Sequence, residues 1–175
     1  MFIHNKGTDN IYVGENSGNL NATASNNTGL GAYSLFNVTT GHSQTAIGSS
    51  ALRNTTSGQQ NTAIGYWAMY SNTTGSFNTA LGYRAISANT SGTENVALGH
   101  QTLMSNSTGY ANTAVGYQAL INNSTGYQNT GIGDWALKSN NIGAENTAVG
   151  YFSLKSNTTG TNNTALGNWA LLKLS

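Results

Sequence analysis

The chain has 175 residues, enough for one ordinary domain, but only 6% are charged, where about a quarter is usual. A net charge of +1 leaves no basic footprint for nucleic acid and no polybasic patch for a membrane surface. Cysteine is absent, which excludes disulfides and thiolate metal sites. Proline is absent too, and Asn, Thr, Ser and Gly stand where charge would be.

The opening Met1-Phe2-Ile3-His4-Asn5-Lys6 carries no signal-peptide core, so either the protein is not secreted by that route or this is a fragment of a longer chain. No later run approaches the ~20 apolar residues that span a bilayer, so membrane insertion is not expected. From Gly14 onward a glycine recurs every 17 residues without slip, at Gly31, Gly48, Gly65, Gly82, Gly99, Gly116, Gly133, Gly150 and Gly167. Low charge and much Asn and Thr would also suit a disordered chain, but disorder does not hold apolar residues at fixed phase. A period of this kind over the whole chain predicts a solenoid.

Each unit starts at an Asn, such as Asn112, with Gln44 the one exception. Residues 1–9 are expected to form a degenerate half coil with Gly7 in phase, residues 10–162 nine full repeats, and residues 163–175 a truncated last one. The first repeat is irregular, with Gly18 where later ones carry an aliphatic side chain and Ala24 where they carry Gly, as end coils often are. Position 4 is always aliphatic (Leu30, Ile47, Ile64, Leu81, Leu98, Val115, Ile132, Val149, Leu166), and so is position 9 (Leu35 through Leu171). These two columns are the predicted core, flanked by small residues at positions 3 and 8. A second glycine column at position 15, Gly41 to Gly160, marks a turn or a close approach of backbones.

Helical repeats need ~33 or more residues, and two glycines per unit oppose helix, so the coils are predicted to be β. Thr-Ala-Ile-Gly-Tyr is one candidate strand, and a second is expected near Leu-x-Ser-Asn-Thr. Coils stacked at about 4.8 Å give a rod on the order of 50 Å long, in which the position-1 Asn residues can form an amide ladder. A core of two aliphatic columns is thin, so association of several chains is expected.

The unit Asn-Thr-Ala-Ile-Gly with a second glycine resembles the head repeats of trimeric autotransporter adhesins (YadA-like heads) over nearly the whole chain. It departs in length, since the adhesin unit is usually about 14 residues and this one is longer in the Ser-Asn-Thr-Thr-Gly turn. The longer form Asn-Thr-Ala-Val-Gly-Tyr-x-Ala-Leu is similar to phage tail-fibre repeats. The resemblance implies an all-β, left-handed parallel β-roll, a homotrimer, a place on a virion or bacterial surface, and work as a spacer or receptor-binding segment.

Aromatic side chains at position 6 (Tyr66, Tyr83, Tyr117, Tyr151) and position 7 (Trp67, Trp135) could stack on sugar rings or pack on one another. Tyr110 and Tyr127, in the turn at position 16, are the better candidates for exposed ligand contact. Paired threonines such as Thr73-Thr74 admit an ice-binding reading, although neighbours in a strand face opposite ways. His4, His42 and His100 fall at different phases, so no metal site is expected, nor any cofactor. Glu94 and Glu145 share a phase three coils apart, ~14 Å by stacking, too far for a glycosidase pair in one chain. The sequons at Asn72, Asn106 and Asn157 read as turn chemistry. The expectation is therefore a non-enzymatic fibre segment contacting a host glycan or protein receptor. A self-assembling filament subunit stacking end to end and an ice- or polysaccharide-binding solenoid are the alternatives.

Overall fold

The computed structural model describes residues 3–4, 8–19 and 22–172. It is a β-solenoid with one short strand per coil. The strands are β1 (Ile3–His4), β2 (Ile11–Val13), β3 (Thr28–Leu30), β4 (Thr45–Ile47), β5 (Thr62–Ile64), β6 (Thr79–Leu81), β7 (Val96–Leu98), β8 (Thr113–Val115), β9 (Thr130–Ile132), β10 (Thr147–Val149) and β11 (Thr164–Leu166). All lie in one sheet in chain order. From β2 to β11 every neighbour is parallel, in a register that places equivalent repeat positions side by side, as in Ala97 beside Ala114. β1 instead runs antiparallel to β2, with His4 opposite Tyr12, so the outer edge of the first parallel strand is already paired. Gly7 lies outside the described residues, and Thr8 forms a parallel bridge to Ser25.

The interior differs from the predicted core in one column. Position 3 is buried throughout (Ala46, Ala63, Ala80, Ala97, Ala114), and position 9 is buried from Leu35 to Leu154 (Leu35, Leu52, Met69, Ile86, Leu103, Leu120, Leu137, Leu154), while Leu171 in the last coil is exposed because no coil follows to cover it. Position 4 points outward. Leu30, Leu81, Ile132 and Leu166 are exposed, and Ile47, Ile64, Leu98, Val115 and Val149 are half-buried. Side chains alternate across a strand, so putting the small Ala inside forces both its neighbours out. The position-8 column (Ala51, Ala68, Ala85, Ala119, Ala136) fills the rest of this narrow core.

The second strand expected near Leu-x-Ser-Asn-Thr is a turn instead. Three non-glycine positions per coil have left-handed backbone, represented by Gln118 (φ 53°), Leu120 (φ 51°) and Gln128 (φ 53°). Two of them, Gln118 and Leu120, stand just before and at the start of that segment and bend it, while backbone bonds between coils continue, such as Leu120 N–H to Ala136 O at 2.9 Å. A left-handed L-residue costs roughly 1–2 kcal/mol, more than glycine's entropy penalty of about 0.5–1 kcal/mol. Ala111 (φ 53°) is one such site with almost no side chain to lose. Ala111→Gly is therefore expected to stabilise the fold by about 0.5–1 kcal/mol, read as a raised urea midpoint. An unchanged or lowered midpoint would count against strain at this position.

Two amide ladders replace part of the missing apolar core. In the first, Asn112 Nδ2 donates to Asn95 Oδ1 (3.0 Å) and to Gly126 O (2.9 Å), and its Oδ1 accepts from Asn129 N–H (3.0 Å) and Nδ2 (3.1 Å). The second ladder, at position 12, was not foreseen. Asn123 Nδ2 donates to Asn106 Oδ1 (2.9 Å) and to the same Gly126 O (3.0 Å). The position-15 glycine carbonyl thus gathers both ladders, and a Cβ on Gly109 would collide with Gly126 O and Asn106 Oδ1. Gln44 keeps the first ladder intact by accepting Asn61 N–H through Oε1 at 3.2 Å.

The irregular first repeat is a compensated exchange. The buried Tyr12 ring stands at position 3, and a Cβ on either Gly18 or Gly29 would strike it. The aromatic ring occupies the space that Leu takes in later coils, and burial pushes its phenol above the usual tyrosine range.

Candidate functional site

The solenoid turns three kinds of surface outward. The first is the sheet face, where position 2 (Ile11, Thr28, Thr45, Thr62, Thr79, Val96, Thr113, Thr130, Thr147, Thr164) runs beside the position-4 aliphatics. In-register stacking makes each column continuous, and neither contains a charged residue in any coil.

The second surface is the aromatic edge that follows each strand. Trp67, Tyr66, Tyr83, His100 and Tyr117 form one stack, with successive ring centroids 5.2, 5.9, 4.9 and 5.3 Å apart and ring planes within 20°. Asp134 interrupts position 6, and its Oδ1 accepts Tyr117 N–H at 2.8 Å. A second group follows at position 7. Trp135 stacks on Phe152 at 4.7 Å, Phe152 meets Trp169 at 4.5 Å, and Tyr151 sits edge-on to Phe152 at 4.3 Å. Trp135 Nε1 donates to Gln118 Oε1 at 2.8 Å.

Stacking of this kind decides what the rings can offer. A sugar ring packs its C–H face on an aromatic face, where the quadrupole is negative. Along the column those faces lie against neighbouring rings, so Tyr66 (46% exposed), Tyr83 and Tyr117 turn edges toward solvent. Tyr110 and Tyr127 form a separate pair on the opposite side of the strand, with centroids 4.9 Å apart and planes within 3°. Sequence reasoning placed these eight aromatics in columns. The structure joins the Trp67–Tyr117 stack to the Trp135 cluster with Tyr151 through an edge-on contact of Tyr117 with Trp135 at 5.5 Å, and sets the Tyr110–Tyr127 pair apart.

The described cations gather over the same aromatic edge. Arg84 lies over Trp67 (5.3 Å), Lys138 over Trp135 (5.4 Å), Lys155 over Phe152 (4.1 Å) and Arg53 over Tyr33 (5.3 Å), which are cation–π distances. Arg53 also donates to Tyr70 Oη at 2.8 Å.

The third surface is the hydroxyl-rich turn. Its position-13 hydroxyls are engaged along the rod: Thr73 Oγ1 donates to Thr90 O (2.8 Å), and Thr90 Oγ1 to Ser107 O (3.1 Å). Of the Thr73-Thr74 pair, only Thr74 faces fully outward. The outward rank of threonines is at position 2, broken only by Ile11 and Val96, a column the strand alternation would have revealed. Asn72, Asn106 and Asn157, the sequon residues, are buried members of the second ladder. Among the described residues no three His, Cys, Asp or Glu side chains come together as a metal site. No family model, curated protein sequence or solved structure matches the chain.

Proposed function

We propose that the chain is a non-enzymatic segment of a surface fibre, a rigid rod that associates side by side with copies of itself and spaces or displays a receptor-binding surface. The observation that carries this reading is the uncharged sheet face. It extends the length of the rod, and its apolar column lies outside a core too thin to use it. Exposed apolar surface in a continuous strip marks an interaction site. The likeness of the repeat to YadA-like heads and phage tail fibres favours a homotrimer on a virion or bacterial surface. The Tyr110–Tyr127 pair is the first place to look for a host glycan or protein contact.

Light scattering after size exclusion, over a range of concentrations, tests this directly. A mass of about three chains is expected, and one chain at every concentration would remove the reading. Leu81→Ser with Ile132→Ser separates interface from fold. Outward substitutions usually change chain stability by within about 0.5 kcal/mol each, so the double variant should stay folded by circular dichroism while the mass falls. Loss of folding together with mass would return position 4 to a core role.

A further inference from the structure

We infer that Arg53 and Arg84 form a binding site for an acidic sugar chain, with one carboxylate or sulfate on each guanidinium. The inference rests on the receptor-displaying part of the reading above and not on the assembly, because the whole site belongs to one copy. It names the ligand class and a place other than the Tyr110–Tyr127 pair.

Three successive coils build the site. At positions 7 and 10 of the aromatic edge they carry Ser50 and Arg53, then Trp67 and Tyr70, then Arg84 and Ser87. The rings of Trp67 and Tyr70 are 5.1 Å apart. Arg84 lies over Trp67 at 5.3 Å, and Arg53 is held among Tyr70 (5.8 Å), Phe36 (5.6 Å) and Tyr33 (5.3 Å). The two cations thus flank one aromatic pair, two coils or about 10 Å apart along the rod. In both, Nε is sealed from solvent without a partner, so each guanidinium is fixed by its inner edge and turns the Nη side outward. Arg53 donates once to Tyr70 Oη, at 2.8 Å, and Arg84 makes no hydrogen bond to the protein.

What these cations lack is a counter-charge. No Asp or Glu occurs between Glu15 and Glu94. Glu15 is on the same edge, but two coils from Arg53, about 10 Å, which exceeds the ~8 Å Debye length at physiological salt. Glu94 precedes β7 and so stands across the strand from this edge. Lys138 and Lys155 also lie over rings, but Asp134 shares their stretch of the edge.

A planar guanidinium pairs with a carboxylate or sulfate through two N–H donors, and one already held in place loses little freedom on binding. The faces of Trp67 are taken by Tyr66 and Arg84, so a neutral sugar cannot stack there. Affinity must then come from acid groups. The Ser50 and Ser87 hydroxyls, which make no hydrogen bond within the protein, stand beside the arginines to meet sugar hydroxyls. Two cations on a chain of net charge +1 are too few for nucleic acid, which is held by a track of phosphate contacts.

Titration of the whole chain with a short oligogalacturonate at low salt, followed by calorimetry and tryptophan fluorescence, tests the site. Saturable binding is expected, about tenfold weaker or more for the methyl-esterified oligomer, which loses only the charge. Arg53→Gln and Arg84→Gln should each weaken binding about three- to tenfold, Arg84→Lys less than Arg84→Gln, and Lys138→Gln should leave it unchanged. Circular dichroism checks folding. Arg84→Lys, which keeps a cation over Trp67, carries the test if Arg84→Gln does not fold. A sulfated oligosaccharide that binds in place of the uronate would keep the site and assign it to sulfate. Binding of neither acidic sugar, equal binding of the ester, indifference to both arginines, or equal binding of a short polyglutamate would overturn the inference. Neutral-glycan binding lost in Tyr110→Ala would then leave the receptor reading standing, whereas a single-chain mass would remove the assembly without touching this site.

Discussion

Replacing Asn112 by aspartate is expected to destabilise the rod by about 3–5 kcal/mol, from loss of one donor group. The side chains are nearly isosteric, so packing is preserved. What disappears is the amide that donates to Asn95 Oδ1 and Gly126 O. Both acceptors are then left facing a carboxylate in a site with no solvent exposure. An unmade buried hydrogen bond costs about 1–3 kcal/mol, and a buried charge more. One proton on the new carboxyl can satisfy only one of the two acceptors. Burial would hold that carboxyl above its unfolded value, so the destabilisation should be smallest in acid, where both states are protonated, and grow as pH rises through the carboxylate range. Asn112→Gln is the control, because Gln44 already occupies this column and keeps its place in the ladder. It should cost less than about 1.5 kcal/mol. Equal losses for the two variants in urea denaturation would show that the ladder contributes through shape rather than through hydrogen bonds.

Gly116→Ala should be at least as damaging, with a loss of about 4 kcal/mol or failure to fold. Two effects combine there. The backbone lies at φ +124°, where an L side chain is strained. A Cβ would also come within 2.7 Å of the Gly133 carbonyl carbon in the next coil. Gly167 separates the two, since its φ is +116° but nothing lies within 4 Å of the added carbon. Gly167→Ala should therefore show strain alone, about 1–3 kcal/mol. Thermal unfolding of the two variants under identical conditions gives the comparison. If Gly167→Ala were as harmful as Gly116→Ala, the collision between coils would contribute nothing measurable.

The period, the coil spacing and the first Asn ladder were legible because each is a column property, and parallel in-register stacking preserves columns. Position 4 was misjudged because an unbroken aliphatic column looks like a core. The stronger signal was the Ala column beside it. In a thin coil the inside admits one narrow size, so position 3 stays Ala or Gly in most coils while position 4 ranges over Val, Leu and Ile. The left-handed turns at residues such as Leu120 could not be read, since Leu has no preference for that conformation and is held there by burial of its side chain. The second ladder was hidden in a segment whose composition looks like an ordinary turn. For the aromatic columns, sequence gave the alignment but not the consequence that successive rings cover one another's faces.

Asn72, Asn89, Asn106, Asn123 and Asn157 each begin an Asn-x-Ser/Thr triplet, and each is sealed inside the rod with its amide bonded to a neighbouring coil. Enzymes that attach glycans to such triplets act on extended chains, before coils can close over the amide. A branched sugar on any one of these nitrogens would take a rung out of the second ladder and prise adjacent coils apart. The fold is therefore suited to being made where that chemistry does not operate. Synthesis through a glycosylating secretory route should yield modified, unfolded chain, whereas a bacterial cytosol should yield the rod.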